Sequence, residues 1–416
     1  MANTLKFGNG EWYGKKDTIL AYNDLNSNFK PLPFNFSRDS KATVVNKDGL
    51  IETVGSGQPR IDYLNDSKGA LLLEPSRSNI VPYSSIFSIW TQVNGASVSD
   101  TTDVISPDGT LNAELLVSGG NGNVQGIYKN ISFLNATTYT MSVFAKKKEI
   151  SFIQLQGGGA GWSGNTFANF DLENGIVGNI GSGAISSSIE NYGNGWYRCS
   201  FTATKNASGG NLSIDLINSA TDGRDTSYNG NIGDGFYIYG VQAEANSSYA
   251  TSYIPTQGSI VTRLAESCNG AGNDQVFNDS EGVLYTEISA LDEDAGTERY
   301  IYIGNGTTAN RVVIRYSTTQ NDIRMLVTSG GSTQVSSGTT NYNITENHKI
   351  ALKYKANDFA LWIDGVEVLT DTNGSTPTGI NQLTLSYSGT QFYGNTKQIK
   401  YFNQALTDQE LQALTS

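Results

Sequence analysis

The sequence predicts an all-β protein that is built from β-sandwiches. Short apolar runs with a two-residue alternation recur along the chain, for example at 139–145, 212–216 and 349–354. Alternation with that period places successive side chains on opposite faces of a strand. Clusters of Gly, Asn, Ser and Asp separate the runs by roughly 8–12 residues, a spacing typical of sandwiches and jelly rolls. A helical pattern is found only near the C-terminal end, so helices contribute little to the predicted fold.

Three regions follow from the distribution of these runs over the 416 residues. Residues 1–80 form a loop-rich segment with short strands, residues 81–265 one long β pattern, and residues 275–416 a second. The stretch 266–274 is polar, Gly-rich and without periodicity, so we predict a linker there. At roughly 100–200 residues per domain, this length fits two or three domains, each with its own core.

Local signals predict two hairpins and one helix. The Asp-Gly pair at 364–365 lies between two apolar runs, and the Asn-Gly pair at 174–175 follows another, as expected for tight hairpin turns. Near the C-terminal end, Thr407 can cap a helix. Glu410, three residues further on, can complete a capping box with it.

Composition excludes several classes of function. The chain carries 27 Lys and Arg against 39 Asp and Glu, a formal net charge of −12. This excess of negative charge argues against binding to nucleic acid or anionic lipid. No apolar run is long enough for a membrane-spanning helix. The single histidine, His348, argues against zinc sites and Ser-His-Asp catalysis. Two cysteines, Cys199 and Cys268, provide neither a disulfide framework nor a metal-binding spacing.

The first 80 residues contain a recognisable signature. Its three segments lie at 36–52, 59–63 and 69–79. They resemble an N-terminal signature of bacteriophage virion structural proteins, in which the last segment leads into a jelly roll of the carbohydrate-binding-module type. The region that follows is similar to such a jelly roll in four segments, at 106–110, 194–198, 239–244 and 250–256.

The C-terminal region resembles a concanavalin A-like (laminin-G-type) sandwich, on the strength of residues 361–368 and 406–411. The resemblance thus implies an N-terminal virion-attachment segment, a jelly-roll β-sandwich and then a second, concanavalin A-like β-sandwich. Such sandwiches occur in lectins, glycanases and adhesins alike, so the fold by itself does not define the activity.

The resemblance implies a fibre, spike or decoration appendage of a bacteriophage virion that adheres to host-surface or environmental glycans. Its expected partners are other virion proteins, those glycans and further copies of the chain, with a trimer as the expected assembly. A virion location also explains why a surface of extracellular type occurs on a chain whose first residues lack the pattern of an export signal. No enzymatic activity and no cofactor are expected, apart from a possible structural Ca²⁺. Two alternatives stay open, a polysaccharide-degrading appendage enzyme and a purely structural head or tail component.

Aromatic side chains are the candidate binding residues. Trp162 lies in a glycine run at 157–164, and an exposed indole there would stack on the apolar face of a sugar. The alternative is that its ring folds back over the end of the jelly roll. Trp90, near the start of that region, is the second glycan candidate, with a core or rim position as its alternative. Trp12 and Tyr13 are the candidates for docking onto another virion protein, because Trp and Tyr are enriched at interface hot spots.

Carboxylates are the candidate catalytic groups, since glycosidases need two of them at a fixed separation across the scissile bond. The nearest pattern is Glu287 followed by Asp292, Glu293 and Asp294. Only Glu287 would lie on a strand, which argues against hydrolysis. The three later residues could bind Ca²⁺, although a solvated acidic turn is the simpler explanation. The acidic loop at 222–225 could also hold a structural Ca²⁺, but it does not supply several convergent ligands on its own.

Overall fold

The computed structural model describes residues 4–24, 26–120, 122–293, 296–387 and 389–416. The N-terminal strands are β1 (Leu5–Gly8), β2 (Gly14–Lys15), β3 (Thr18–Asn23), β4 (Asn28–Ser37), β5 (Ala42–Val45), β6 (Ile51–Val54), β7 (Ile61–Asp62) and β8 (Ala70–Leu73). The next are β9 (Arg77–Asn79), β10 (Thr91–Val93), β11 (Ser97–Asp100), β12 (Glu114–Val117), β13 (Gln125–Asn130), β14 (Thr137–Lys147), β15 (Phe152–Gly158), β16 (Phe167–Asp171), β17 (Ile176–Ile180), β18 (Ala184–Asn191), β19 (Trp196–Lys205), β20 (Asn211–Leu216), β21 (Gly235–Ala245) and β22 (Val261–Arg263).

The remaining elements follow residue 266. They are β23 (Ser267–Asn269), β24 (Glu281–Ala290), β25 (Arg299–Gly304), β26 (Arg311–Tyr316), β27 (Ile323–Ser329), β28 (Ser332–Thr339), β29 (His348–Lys355), β30 (Asp358–Ile363), β31 (Val366–Asp371), β32 (Gln382–Thr384), β33 (Ser386–Tyr387), β34 (Thr390–Gln391), β35 (Gly394–Phe402) and the helix α1 (Asp408–Thr415). Within the described ranges, no helix is long and apolar enough to cross a membrane.

The chain forms two compact units. Unit 1 comprises residues 1–47, 53–76 and 264–416, and unit 2 comprises residues 48–52 and 77–263. Unit 2 is therefore almost entirely an insertion between two parts of unit 1. Its first and last strands, β9 and β22, pair with each other in antiparallel register.

Unit 1 is a sandwich of antiparallel strands. Its largest sheet runs in the order β31-β30-β29-β24-β35-β8-β7, and β1 also pairs with β35. A five-stranded sheet, β28-β27-β26-β25-β32, supplies apolar side chains to the same core. Leu284, Ile350 and Ile399 of the large sheet point into that core. Residues of opposite parity on the same strands face away from it, and α1 covers part of this outer face with Leu411.

Unit 2 is a jelly-roll-like sandwich of two six-stranded sheets. One runs in the order β10-β13-β20-β15-β16-β17 and the other in the order β11-β12-β21-β14-β19-β18. Their inner faces share one apolar core, in which Cys199, Phe201 and Ile214 are fully or almost fully buried. The fold class predicted from the sequence, an all-β chain of two β-sandwiches, is therefore confirmed.

Several local predictions are also confirmed. Asp364 and Gly365 connect β30 to β31 with φ angles of 48° and 82°, as the favoured two-residue hairpin turn requires. The side chain of Thr407 accepts a hydrogen bond from Glu410 N, and the Glu410 side chain accepts one from Thr407 N, which completes the capping box of α1. His348 begins strand β29, where Nδ1 lies 2.6 Å from Asp364 Oδ2.

The predicted linker at 266–274 is wrong, and the N-terminal region is not a separate segment. Residues 267–269 form β23, which pairs with β4, while β1 and β8 both pair with β35. Glu266 is fully buried, and its carboxylate contacts the guanidinium groups of Arg38 and Arg60. Most of residues 1–76 therefore folds as part of the C-terminal sandwich, because strand pairing and a buried ion network join stretches that are distant in sequence.

Candidate functional site

The structure places Trp162 in the core of unit 2, and the expected exposed ring is wrong. Only 9% of the residue is exposed, and its Nε1 donates a hydrogen bond of 3.0 Å to the carbonyl of Gly158. The ring packs against Phe133 at a centroid distance of 4.9 Å. A Cβ atom at Gly157 would lie 2.6 Å from this indole, so the glycine run lets the ring fold back. The Trp162 ring therefore packs onto the core of the sandwich and does not offer a surface for stacking sugars.

Trp90 is likewise buried, with 3% of the residue exposed, and the expected glycan-binding position is wrong for it too. Its ring centroid lies 5.4 Å from that of Phe87 inside the same apolar core. A sugar cannot reach either face of this indole without disrupting the core. Neither of the two predicted tryptophans therefore provides an exposed aromatic platform on unit 2.

The two candidates for virion docking lie in different environments. Trp12 is partly buried against the unit 1 core, and its Nε1 donates a hydrogen bond of 2.9 Å to the carbonyl of Gly69. Tyr13 is 46% exposed and packs against Phe29 at a centroid distance of 5.1 Å. Tyr13 therefore offers an accessible ring, whereas Trp12 has a packing role. Docking through these residues stays a prediction.

The acidic turn after Glu287 does not form a cluster of ligands. Asp292 forms an ion pair with Arg299, and Glu293 Oε2 accepts a hydrogen bond from Gln320 Nε2. The remaining candidate, Asp294, lies outside the described residues. Among the residues that the structure describes, no group of three or more His, Cys, Asp and Glu side chains could hold a metal ion.

Glu287 itself lines an open cleft on the outer face of the large sheet of unit 1. The cleft has a volume of about 320 Å³, and we call it the sheet-face cleft. Its lining includes Asp66, Lys68, Glu287, Lys349, Lys397 and Gln398. Three of these residues are cross-strand neighbours, because Glu287 of β24 is paired with Lys349 of β29 on one side and with Gln398 of β35 on the other. Rigid strands thus fix the floor of the cleft.

Hydrogen bonds orient the amides around Glu287. Its Oε1 accepts a bond of 3.0 Å from Asn347 Nδ2, and its Oε2 accepts one of 2.7 Å from Gln398 Nε2. Gln398 Nε2 also donates to the hydroxyl of Tyr285 at 3.2 Å, so both of its hydrogens are used. A carboxylate can only accept, which fixes each amide with its nitrogen toward Glu287 and its oxygen away from it.

This arrangement leaves two buried acceptors without donors. Neither Gln398 Oε1 nor Asn347 Oδ1 has a hydrogen-bond partner among the described residues. Gln398 is only 7% exposed, and an unsatisfied buried polar group normally costs about 1–3 kcal/mol. Both oxygens are themselves buried, so neither is exposed on the surface of the cleft.

Asp66 contributes a second carboxylate, which is already paired within the chain. Its Oδ2 lies 3.0 Å from Lys397 Nζ, and its Oδ1 accepts a bond of 2.7 Å from the backbone N–H of Lys68. Partial burial acts to raise the pKa of Asp66, but the Lys68 hydrogen bond and the Lys397 ammonium outweigh it and lower the pKa. Asp66 is therefore ionised at neutral pH and cannot serve as a proton donor there.

Unit 2 carries a second polar region, on the outer side of its β20-β15-β16 strands. Gln154, Gln156, Asn169 and Asp215 project there, and each is at most 5% exposed. Burial raises the pKa of Asp215 to about 8, the charge of Asp225 acts in the same direction, and the hydrogen bond from Gln156 opposes it. Asp215 is therefore mainly protonated at neutral pH. We call this group the loop-covered face.

The chain's own loop at 218–225 covers this face. Asn169 Nδ2 donates to the carbonyl of Asp222 at 2.8 Å, and Gln154 Nε2 donates to that of Gly223 at 3.0 Å. Arg224 Nε donates to Gln156 Oε1 at 2.7 Å. The carbonyls of the acidic loop thus bind side-chain amides of the sheet, which is a packing role.

Comparisons with known proteins show only distant likenesses. No protein-family model and no curated protein sequence matches the chain. A CBM40 module of the Ruminococcus gnavus IT-sialidase, solved with α2,3-sialyllactose, aligns with 36% of this chain and 94% of its own at 18% identity and a TM-score of 0.30. Domains LG4-5 of the mouse laminin α1 chain align with 70% of this chain and 91% of their own at 10% identity and a TM-score of 0.24.

A third solved structure, the Trypanosoma rangeli sialidase in complex with sialic acid, aligns with 98% of this chain and 97% of its own at 10% identity and a TM-score of 0.28. At such TM-scores these likenesses carry no argument about ligands or activity. The function is therefore argued from the side chains of the chain itself.

Proposed function

We propose that the chain is a glycan-binding appendage protein of a bacteriophage virion and that the sheet-face cleft is its sugar-binding site. The observation that carries the proposal is an open polar cleft whose lining combines amide, carboxylate and ammonium side chains on neighbouring strands. Sugar hydroxyls both donate and accept hydrogen bonds, so they suit a lining of this kind.

The rigidity of the cleft supports this assignment. Glu287, Lys349 and Gln398 lie on three paired strands, so little side-chain or backbone ordering is needed on binding. The cleft is nevertheless small, so one site would bind one or two sugar residues weakly. Many copies on a particle would raise the overall affinity through multivalency.

The virion role is supported by the sequence segments at 36–52, 59–63 and 69–79, which resemble those of bacteriophage structural proteins. In this proposal the chain is located in the virion and contacts other virion proteins, with Tyr13 as the accessible docking candidate. A homo-oligomer, expected to be a trimer, would present several clefts to one glycan surface. If the proteins that surround the cleft in the virion cover it, the chain is instead a purely structural head or tail component.

We also propose that the cleft binds sugars without cleaving them. A retaining or inverting glycosidase needs one protonated carboxyl group and one ionised one. Of the two carboxyl groups that line the cleft, Asp66 has a lowered pKa, and both oxygens of Glu287 accept amide hydrogen bonds. Neither group is therefore arranged to give a proton to a leaving group.

A second candidate function, polysaccharide hydrolysis, is favoured by one observation in unit 2. Asp215, with its pKa of about 8, and Asp225 both accept hydrogen bonds from Gln156 Nε2, at 2.6 and 3.1 Å. Such a pair, one protonated and one more exposed, is the pattern of an acid and its carboxylate partner. The loop at 218–225 would have to open for a substrate to reach Asp215. Shortened products that disappear in an Asp215→Asn variant would establish this function.

The main proposal is tested with a glycan array on which the full chain and a Gln398→Leu variant are compared, together with product analysis. Binding without product release, weakened about tenfold in Gln398→Leu, is the expected result. The matched control is Gln320→Leu, which alters an amide that contacts the exposed Glu293 elsewhere in unit 1. Equal binding by Gln398→Leu, or no binding to any glycan, would reject the cleft as the sugar site.

A further inference from the structure

The loop at 218–225 covers the loop-covered face of unit 2 without burying a side chain of its own. Every residue from 218 to 225 is exposed or only partly buried. Hydrogen bonds hold the loop instead, among them those that Gln154 and Asn169 donate to its carbonyls. A segment that buries little apolar surface opens locally at a lower free energy than the core. The loop can therefore leave the face while the sandwich stays folded.

Two carboxyl groups share one amide where the loop meets the sheet. Gln156 Nε2 donates to Asp215 Oδ2 at 2.6 Å and to Asp225 Oδ1 at 3.1 Å. Asp225 belongs to the loop, and its side chain is more than half exposed, whereas Asp215 belongs to β20 and is 4% exposed. Two ionised carboxylates at one donor repel each other, and burial adds to the cost of ionising Asp215. A proton on Asp215 therefore favours the closed loop.

The other neighbours of Asp215 do not supply a positive charge at contact distance. β13 faces it with Gly126 and β15 faces it with Gln154, and neither residue is charged. Arg224, the cation of the loop, donates its Nε to Gln156 Oε1 at 2.7 Å. Among the residues that the structure describes, Asp215 has no ion-pair partner. A negative charge on Asp215 would thus stay uncompensated under the closed loop.

These surroundings explain the pKa of about 8 for Asp215. Burial is the largest cause that raises this pKa, and the charge of Asp225 adds to it, while the Gln156 hydrogen bond and the Arg224 charge oppose them. In an open loop, water reaches Asp215 and its pKa returns toward about 3.9. Between these values the closed form keeps a proton that the open form releases, so a rising pH favours the open form.

We propose that the loop at 218–225 is a pH-sensitive cover, which opens from the loop-covered face when Asp215 loses its proton. Opening separates the two carboxylates and lets a ligand with hydroxyl groups reach the amides of Gln154, Gln156 and Asn169. The inference goes beyond glycan binding in the sheet-face cleft, because it concerns another face in another unit. It does not require that unit 2 hydrolyse a polysaccharide.

Hydrogen exchange at the backbone N–H of Asn179 measures the opening in the full chain. This N–H donates to the carbonyl of Ala220 in the loop at 2.7 Å, and it loses its partner when the loop leaves. After correction for the intrinsic pH dependence of exchange, the equilibrium constant for opening should rise by up to about tenfold per pH unit between about pH 5 and 8, and then level off. The N–H of Leu172, which donates to the Ser151 carbonyl outside the loop, should stay more protected at every pH.

Three variants identify the group that controls the opening. Asp215→Asn is neutral at every pH, so the exchange of Asn179 should no longer depend on pH after correction. Asp225→Asn removes a charge that opposes the ionisation of Asp215, so the rise should level off at a lower pH than in the parent chain. The matched control is Asp234→Asn, which changes a carboxylate that accepts from Asn231 in another loop of unit 2 and should behave like the parent chain.

Opening at Asn179 that is independent of pH in the parent chain, or that keeps its pH dependence in Asp215→Asn, would overturn the proposal. So would an opening free energy equal to that of global unfolding, measured by chemical denaturation at the same pH, because the loop would then leave only when the sandwich unfolds. These measurements need no glycan. A loop that opens as expected in a chain that releases no shortened products would therefore keep this inference and reject only the hydrolytic alternative.

Discussion

The sheet-face cleft of unit 1 and the loop-covered face of unit 2 both consist of Gln, Asn and carboxylate side chains on neighbouring antiparallel strands. They differ in that the cleft is open, whereas a loop of the chain covers the face of unit 2. In unit 2 the amides of Gln154 and Asn169 donate to the carbonyls of the loop at 218–225. In unit 1 the amides of Asn347 and Gln398 donate to Glu287 instead, and the cleft beside them is open. Each face leaves an amide oxygen without a partner among the described residues, Gln154 Oε1 in unit 2 and Gln398 Oε1 in unit 1. The two faces therefore differ in whether a loop of the chain covers them, and the open one is the face that we propose as a binding site.

The comparison predicts that polar groups enclosed by the chain itself contribute to stability, while those of the cleft contribute to binding. A fully enclosed example is Glu266, whose Oε1 lies 2.7 Å from Arg38 Nη1 and 2.8 Å from Arg60 Nε. Glu266→Gln removes the carboxylate charge that pairs with the buried guanidinium groups of Arg38 and Arg60. We expect the free energy of unfolding to fall by about 3–5 kcal/mol.

Chemical denaturation of the full chain measures this loss. The control is Glu281→Gln, which breaks a more exposed ion pair with Lys355 and should cost less than about 1 kcal/mol. Equal losses in the two variants would show that enclosure of the charges does not matter for stability.

The second prediction concerns Trp162, which the sequence suggested as a binding residue. Truncation to alanine removes a ring that packs on Phe133 and leaves a cavity in the unit 2 core, so Trp162→Ala should cost about 3–5 kcal/mol. Glycan binding by the fraction that remains folded should be unchanged. Tyr13→Ala removes an exposed ring and should be nearly neutral for stability. Loss of binding at full stability would restore Trp162 as a sugar platform.

The third prediction is a pH dependence that arises from the loop-covered face. Asp215 has a pKa of about 8 in the folded chain and about 3.9 when unfolded. Between these values the folded state keeps a proton that the unfolded state releases. Stability should therefore fall as pH rises from about 4 to 8, by up to about 1.4 kcal/mol per pH unit from this group.

Asp215→Asn is neutral in both states and should remove this contribution. The difference between the unfolding free energies of the parent chain and the variant, measured across that pH range, isolates it from other groups. A difference that is independent of pH would mean that Asp215 is ionised in the folded chain.

The smallest effect on stability is expected in the cleft. Gln398→Leu removes two hydrogen bonds but also the unsatisfied Oε1, and water can reach Glu287 through the open side. The free energy of unfolding should therefore change by less than about 1 kcal/mol, while glycan affinity falls. Calorimetry of the same preparation gives both values. A large loss of stability would indicate that the cleft is structural, like the loop-covered face.

Local signals allowed the sequence to predict much of the fold. The turn at 364–365 and the capping box of Thr407 and Glu410 depend on neighbouring residues, and both were predicted. The pairing of β1 with β35 and the burial of Glu266 depend on residues hundreds of positions apart, and a polar, Gly-rich stretch there suggested a linker instead.

The candidate site was less predictable for the same reason. Glu287 was identified as a strand residue, but Gln398, Lys349 and Lys68 were not, because only the register of β24, β29 and β35 brings them together. For Trp162, glycines beside an aromatic residue are compatible with either an exposed loop or space for the ring to fold back. The structure distinguishes the two, because a Cβ atom at Gly157 would lie 2.6 Å from the indole, and such a long-range contact cannot be read from the sequence.

The insertion of unit 2 has a consequence for how such a gene can evolve. The chain enters unit 2 at β9 and leaves it at β22, and these strands pair residue for residue from Arg77 with Arg263 to Asn79 with Val261. The two ends of the insert therefore lie side by side. Two crossovers, one at each of these points, exchange almost the entire jelly roll for a foreign segment with similar ends. The ion network around Glu266 would be inherited intact, so new surface modules could be acquired without rebuilding the sandwich that carries the cleft.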